Sequence, residues 1–219
     1  YRYPASAGKG VTVYVLDSGI NVSLSEFGGR AVWGANVINN ATDDDSGHGT
    51  FVAAIIAGSS YGVAKNASLV SVKCLDKNGE GRTSTVIRAL AFVFNQTYNN
   101  VTQMAAPNTV VTMSVGGPTS SILNSVVNVL FSVGIAVVAA AGNDADDACQ
   151  TSPASAIGSI AVGAMDRSDI ATNYSNYGPC TNIYAPGSDI TSIFANGSVD
   201  SLRGTSFAAP HVAGVVSLL

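Results

Sequence analysis

Five short runs rich in Val, Ile and Ala recur along the chain, and they restrict its fold more than any other feature. They are G-V-T-V-Y-V-L-D (10–17), L-V-S-V-K-C-L-D (69–76), N-T-V-V-T-M-S-V-G-G (108–117), G-I-A-V-V-A-A-A-G-N (134–143) and S-I-A-V-G-A (159–164). Runs that are apolar at consecutive positions have no polar face to offer water, so they predict central strands of a parallel sheet covered on both sides. Between them, T-S-T-V-I-R-A-L-A-F-V-F (83–94) and S-I-L-N-S-V-V-N-V-L-F (121–131) carry apolar residues at helical spacing. Strand, helix, strand in succession predicts a doubly wound, mainly parallel α/β sheet flanked by helices. No repeat or linker divides the 219 residues, which predicts one domain spanning 1–219.

The charge balance removes several partner classes. The formal net charge is −4 and the ten Lys and Arg residues are scattered singly, so no basic stripe exists to hold a phosphate backbone and nucleic acid is not expected. The longest apolar runs fall well short of the roughly 20 residues a membrane helix needs. Tyr1 is preceded by neither an initiator Met nor a signal-type segment, which predicts a processed or excised chain. Asn-x-Ser/Thr occurs at Asn21, Asn40, Asn66, Asn95, Asn100, Asn173 and Asn196, an excess that points to a secreted glycoprotein. Of the three cysteines, Cys149 and Cys180 could pair and leave Cys74 odd, or all three could be reduced core thiols.

Open α/β sheets gather their working groups beyond the carboxyl ends of the strands. Those ends read Asp17-Ser18-Gly19, Ser114-Val115-Gly116-Gly117 and Ala141-Gly142-Asn143. A carboxylate after V-Y-V-L needs a partner to stay ionised. The chain has two histidines: His48, flanked by glycines at the start of an apolar helical run, and His211, one residue past Pro210. Ser206, in R-G-T-S-F-A-A-P-H-V-A-G, stands at a helix start, where a hydroxyl is either a cap or a nucleophile. His211 lies too far down that helix to reach the Ser206 hydroxyl. The candidate set is therefore Ser206 as nucleophile, His48 as general base and Asp17 as the carboxylate that sets the imidazole tautomer.

Three motifs, V-Y-V-L-D-S-G-I at Asp17, D-S-G-H-G-T-F-V-A at His48 and G-T-S-F-A-A-P-H-V-A-G at Ser206, give the chain its resemblance to the subtilisin-like serine proteases (subtilases, peptidase S8), within them to the proteinase K group. Y-G-V-A-K (61–65), V-K-C-L-D-K-N-G-E-G (72–81), M-S-V-G-G, A-A-A-G-N, S-N-Y-G (175–178) and A-P-G (185–187) are similar to further family landmarks, so the likeness covers nearly the whole chain.

The resemblance implies a serine endopeptidase of broad taste, acting through an acyl-enzyme, with Asn143 and the Ser206 backbone N–H as oxyanion donors. An extended polypeptide substrate would lie between Gly79-Glu80-Gly81 and Ser114-Val115-Gly116. The first side-chain pocket would be walled by Ser114–Gly117 and by Ala140, Ala141 and Gly142, with no acidic residue among them, so an apolar or aromatic P1 residue is expected over Lys or Arg. Glu80 and Arg82 beside the binding strand, and Thr83 where a bulkier aromatic is expected, leave the P4 preference open.

It further implies a Cys149–Cys180 disulfide, a buried Cys74 thiol, an N-terminal inhibitory propeptide, a monomer, and secretion, with a vacuole as the alternative. No organic cofactor is implied. Structural calcium is doubtful, because Asn182 stands where the proteinase K group places a calcium-binding aspartate. Phe51 replaces a second histidine of the family on the packing side of its helix. Pro210 is expected to distort the first turn of the nucleophile helix, and Asp43 to Asp45 to form a solvated acidic loop. Relative to the family the chain is expected to be incomplete at both ends, so an inactive fragment or a non-catalytic homologue acting through protein contacts is the competing reading.

Overall fold

The computed structural model describes residues 2–39, 41–99, 102 and 104–219. Seven strands form the central sheet: β1 (Thr12–Asp17), β2 (Ala31–Asn36), β3 (Ser68–Lys73), β4 (Thr109–Met113), β5 (Ala136–Ala140), β6 (Ser159–Met165) and β7 (Ile183–Pro186). Their order across the sheet is β7-β6-β5-β4-β1-β3-β2, and all six pairings are parallel. The five apolar runs read from the sequence are β1, β3, β4, β5 and β6. The two edges, β2 and β7, carry partly exposed residues and lack the continuous apolar signature that marks a strand buried on both faces.

Four helices cover the sheet: α1 (His48–Ala57), α2 (Thr83–Thr97), α3 (Ser121–Ser132) and α4 (Thr205–Val216). Strand alternation divides the core between them. Val13 and Val15 point with Leu69, Val110 and Val138 to the layer of α1 and α4, where Ile55, Phe51, Ala208 and Val212 pack. Tyr14 and Leu16 point with Val72, Val111 and Val137 to the layer of α2 and α3, where Leu90, Val93, Val127 and Leu130 pack. A hairpin of Ile190–Ile193 and Val199–Leu202 leads into α4.

The strand order reverses beside β1: the chain leaves it for β2 and β3 on one side and then crosses to β4 on the other. At such a switch point the loops after two neighbouring strands diverge and open a crevice. Asp17 ends β1 and Ser114 follows β4, so both stand at that crevice.

Cys149 and Cys180 form a disulfide across a sequence separation of 31 residues, and Cys74 is a buried free thiol. Asn66, Asn95, Asn173 and Asn196 are exposed. Asn21 is partly buried, with its Nδ2 donating to the Ala195 carbonyl at 2.7 Å. The sequons at Asn40 and Asn100 lie outside the described residues.

Candidate active site

Asp17 is 1% exposed at the end of β1, where the sheet walls exclude water. Its Oδ1 accepts the Ser18 N–H at 2.7 Å and lies 2.8 Å from His48 Nδ1. A carboxylate can only accept, so Nδ1 carries the proton and Nε2 is the basic atom. Burial by itself would lower the His48 pKa. The Asp17 charge, its hydrogen bond and the Asp44 charge outweigh burial, and the net shift is upward from 6.5.

Asp44 is what places His48, and it corrects the reading of Asp43 to Asp45 as a solvated loop. It is buried. Its Oδ1 accepts the Ser18 hydroxyl and the Gly47 N–H, both at 2.8 Å. Its Oδ2 accepts the Thr50 N–H at 2.8 Å and the Thr50 hydroxyl at 2.6 Å. The carboxylate thus satisfies donors of the first turn of α1, which has no side-chain cap at Gly47, and complements the helix dipole. Asp45 pairs with the fully buried Lys73 at 2.5 Å. Only Asp43 of the three is exposed without such a role. The sequence signal was three acidic residues just before a helix start, which does not by itself say which of them is buried.

The start of α4 carries Ser206. The Thr205 N–H and hydroxyl both donate to Asn143 Oδ1, at 2.8 and 3.0 Å, while Gly142 N–H donates to the same hydroxyl at 3.2 Å. Phe207 N–H returns to the Gly204 carbonyl at 3.0 Å. Of these first-turn donors, the Ser206 N–H is left without a hydrogen-bond partner among the described residues. Because a backbone N–H can only donate, Asn143 Oδ1 is identified chemically, and its Nδ2 is the end left free.

Pro210 removes the N–H that would bond the Ser206 carbonyl. That carbonyl is instead satisfied by the Ser114 hydroxyl at 2.7 Å. The distortion expected at Pro210 does not break the helix, which runs unbroken from Thr205 to Val216. The Ser206 hydroxyl donates to the Ser114 carbonyl at a long 3.5 Å. Phe207 packs on His48 at 5.5 Å between ring centroids and on Phe51 at 5.1 Å, and Phe51 packs on Phe194 at 5.1 Å. This aromatic line joins α4 to α1 and sets Ser206 next to the residue that touches the imidazole.

Two cavities open along the crevice. One, of about 440 Å³, is lined by Ser114–Gly117, Ala140, Gly142, Asn143, Asn176 and Ser206. The other, of about 480 Å³, is lined by Gly79, Glu80, Gly81, Thr83 and again Ser114–Gly117. The two segments read as flanking an extended chain therefore face one cavity. Ala141 differs from expectation: it lines neither cavity and is fully buried, its N–H donating to the Val162 carbonyl at 3.0 Å.

Asn176, in S-N-Y-G, was not singled out as a working residue. It is 1% exposed, accepts the Asp144 and Asp146 N–H groups at 2.9 and 3.1 Å, and donates to the Ala141 carbonyl at 3.0 Å. Gly142, at φ +110°, allows this approach, because a Cβ there would collide with the Asn176 amide.

His211 donates from Nδ1 to the Phe207 carbonyl at 2.8 Å and lines a separate, mainly apolar cavity with Tyr61 and Tyr184. Asn182 commits Oδ1 to the Ala161 N–H at 2.8 Å. Among the described residues no group of three or more His, Cys, Asp or Glu is arranged to hold a metal. Cys74 donates its N–H to the Asp17 carbonyl at 2.8 Å, and burial pushes its thiol pKa far up.

A buried carboxylate holding an imidazole, a serine at a helix start and an anchored amide thus stand on a doubly wound parallel sheet. Residues 8–219 match Peptidase S8, the subtilase family, and the chain belongs to that family. It is 47% identical over 220 residues to a subtilisin-like protease of Coccidioides posadasii (strain C735), covering 100% of this chain and 54% of that protein. It is 45% identical over 221 residues to subtilisin-like protease 6 of Trichophyton schoenleinii, covering 100% of this chain and 55% of that one. The chain thus spans about half the length of these curated relatives. Among solved structures, a cold-adapted subtilisin-like serine proteinase superposes with a TM-score of 0.93 at 42% identity, over 100% of this chain and 77% of the other.

Proposed function

We propose that the protein is a serine endopeptidase in which Ser206 is the nucleophile, His48 the general base and acid, and Asp17 the residue that positions the imidazole. The observation that carries this reading is the 2.8 Å contact of Asp17 Oδ1 with His48 Nδ1, beside a cavity lined by Ser206 and Asn143. His48 Nε2 takes the Ser206 hydroxyl proton as Oγ bonds to the carbonyl carbon of the substrate. The oxygen that becomes anionic meets Asn143 Nδ2 and the Ser206 N–H. When the tetrahedral species collapses, the C–N bond breaks and His48 returns the proton to the leaving amine. Water then attacks the acyl ester with His48 again as base, and Ser206 is regenerated.

The substrate would be a polypeptide laid as an added strand between Gly79–Gly81 and Ser114–Gly116, with backbone pairing giving breadth and the side pockets giving preference. The neutral walls at Ser114–Gly117 and Ala140 suit apolar and aromatic P1 side chains. The exposed sequons and the disulfide support a secreted glycoprotein, and the family supports synthesis as an inhibited precursor.

Labelling of the full chain by a phosphonyl fluoride serine reagent, with mass spectrometry to find the adduct, tests the reading. One adduct on Ser206, absent in both Ser206→Ala and His48→Ala, is the expected result. A folded chain that takes no adduct would overturn it.

A further inference from the structure

The sequence motif that the acyl-transfer chemistry leaves unused is Asn-x-Ser/Thr, and the structure separates its copies. Asn21 and Asn66 commit their amide nitrogens to backbone carbonyls, Nδ2 donating to Ala195 at 2.7 Å and to Ser6 at 3.2 Å. Asn95 lies within α2. Asn173 and Asn196 stand in exposed turns, with Nδ2 free of hydrogen bonds among the described residues.

Of these two, Asn173 is the one that meets the active site. With Asn143, Tyr174, Arg203 and Gly204 it lines a cavity of about 470 Å³. The two cavities on the acyl side of the substrate share Ser114–Gly117, whereas this one touches none of those residues and meets the Ser206 cavity only at Asn143. It therefore lies beyond the scissile carbonyl, where the leaving amine and the chain after it pass. The turn that carries Asn173 is fixed. Ser175 N–H donates to the Thr172 carbonyl at 3.2 Å, Thr172 N–H to the Ala164 carbonyl at 2.9 Å and Ala145 N–H to the Tyr174 carbonyl at 3.0 Å. The Tyr174 hydroxyl donates to the Gly187 carbonyl at 2.8 Å, and the Arg203 guanidinium lies 5.9 Å over the Tyr174 ring. A group attached at Asn173 is thus held at the mouth of this cavity.

We propose that Asn173 is a glycosylation site whose oligosaccharide stands over the leaving-group side of the active site and selects against folded proteins as substrates. The new bond joins Asn173 Nδ2 to the anomeric carbon of the sugar, the C–O bond to a lipid-linked diphosphate donor breaks, and one amide proton passes to the diphosphate. An oligosaccharide is bulky and stays in water, so it obstructs a second folded surface while leaving a single extended strand its place in the crevice. The selection of substrates rests on the reading of Ser206 and Asn143 as the acyl-transfer centre; the modification does not.

The full chain secreted from a eukaryotic host tests both halves. Peptide mapping by mass spectrometry, after an endoglycosidase that leaves one sugar on the asparagine, is expected to find that sugar on Asn173. The second quantity read is the ratio of kcat/KM for a folded protein to that for a peptide anilide, whose leaving group is a single ring. Trimming the glycan and, separately, Asn173→Gln are each expected to raise this ratio by about tenfold, the low end of the range over which association rates vary among variants of one interface. Trimming leaves the sequence untouched, and Asn173 makes no hydrogen bond that its replacement would break. Asn196→Gln removes a sequon from a turn that lines a different cavity, with Asp43–Gly47, and should leave the ratio unchanged. No sugar on Asn173 of the secreted, folded chain would overturn the proposal, as would a ratio unmoved by trimming and by Asn173→Gln, or one raised equally by Asn196→Gln. Continued anilide hydrolysis would in each case leave the protease reading standing. A folded, glycosylated chain that hydrolyses neither substrate and takes no adduct on Ser206 would overturn the protease reading and the substrate selection with it.

Discussion

Asn143 and Thr205 are joined twice: the Asn143 amide oxygen accepts both the backbone N–H and the hydroxyl of Thr205, the residue before Ser206, at 2.8 and 3.0 Å. The same contact that closes the first turn of α4 therefore aims the Asn143 amide. Asn143→Ala should lower kcat by about 10²–10³ with KM little changed, since the donor acts on charge that develops only in the transition state; that magnitude is a general one for oxyanion donors. Thr205→Val keeps the N–H contact and should cost less, on the order of tenfold. A Thr205→Val loss as large as that of Asn143→Ala would mean that the backbone N–H does not hold the amide.

The two histidines are predicted to titrate on opposite sides of 6.5. For His48, burial works downward but the Asp17 charge and hydrogen bond prevail, giving a raised pKa; for His211, burial prevails and the pKa is lowered. The base must be neutral, so kcat/KM should rise with pH through a midpoint above 6.5. Linkage gives opposite signs for stability. The His48 pair stabilises the fold below its unfolded value of about 6.5 and that contribution is lost as pH rises through the folded pKa, whereas His211 destabilises as pH falls below 6.5. NMR titration of the two imidazoles measures both, and a His48 midpoint below 6.5 would contradict the assignment.

Asp17→Asn leaves the shape of the site but removes the charge that sets the Nδ1–H tautomer. A loss of kcat of about 10⁴ is expected, with the His48 midpoint moving down because burial is then opposed only by Asp44. A large kcat loss with the midpoint unmoved would place the effect elsewhere.

Asp44→Ala strips four acceptor contacts from buried donors at Ser18, Gly47 and Thr50. A loss of about 3–5 kcal/mol in denaturant unfolding is expected. Asp43→Ala, at an exposed neighbour, should change stability by less than about 0.5 kcal/mol. Equal effects of the two would return the loop to a merely solvated role.

Replacing Cys149 and Cys180 by serine opens a loop of 31 residues, and chain-entropy reasoning puts the cost at about 3–4 kcal/mol. The segment 144–148 should lose hydrogen-exchange protection before the sheet does. A uniform loss across the sheet would show that the bond supports the whole fold rather than this segment.

Much of this molecule was determined by sequence alone. Consecutive apolar residues in β1, β3, β4, β5 and β6 announce strands buried on both faces, and Asp17, His48, Ser206 and Asn143 stand in motifs whose local glycine, helix-start and strand-end chemistry is legible without coordinates. The edges β2 and β7 were not legible, because a strand with one partly solvated side loses the pattern that identifies it. Tertiary structure alone decided which of three adjacent aspartates is buried at α1, that Ala141 turns into the core rather than the cavity, and that Ser114 answers the carbonyl freed by Pro210. It also decided that Asn173 meets the cavity beside Asn143. Each of these depends on groups brought together from distant parts of the chain. Hydrogen bonds and burial act over a few ångströms in space, and a spacing of 21 to 92 residues along the chain carries no trace of them.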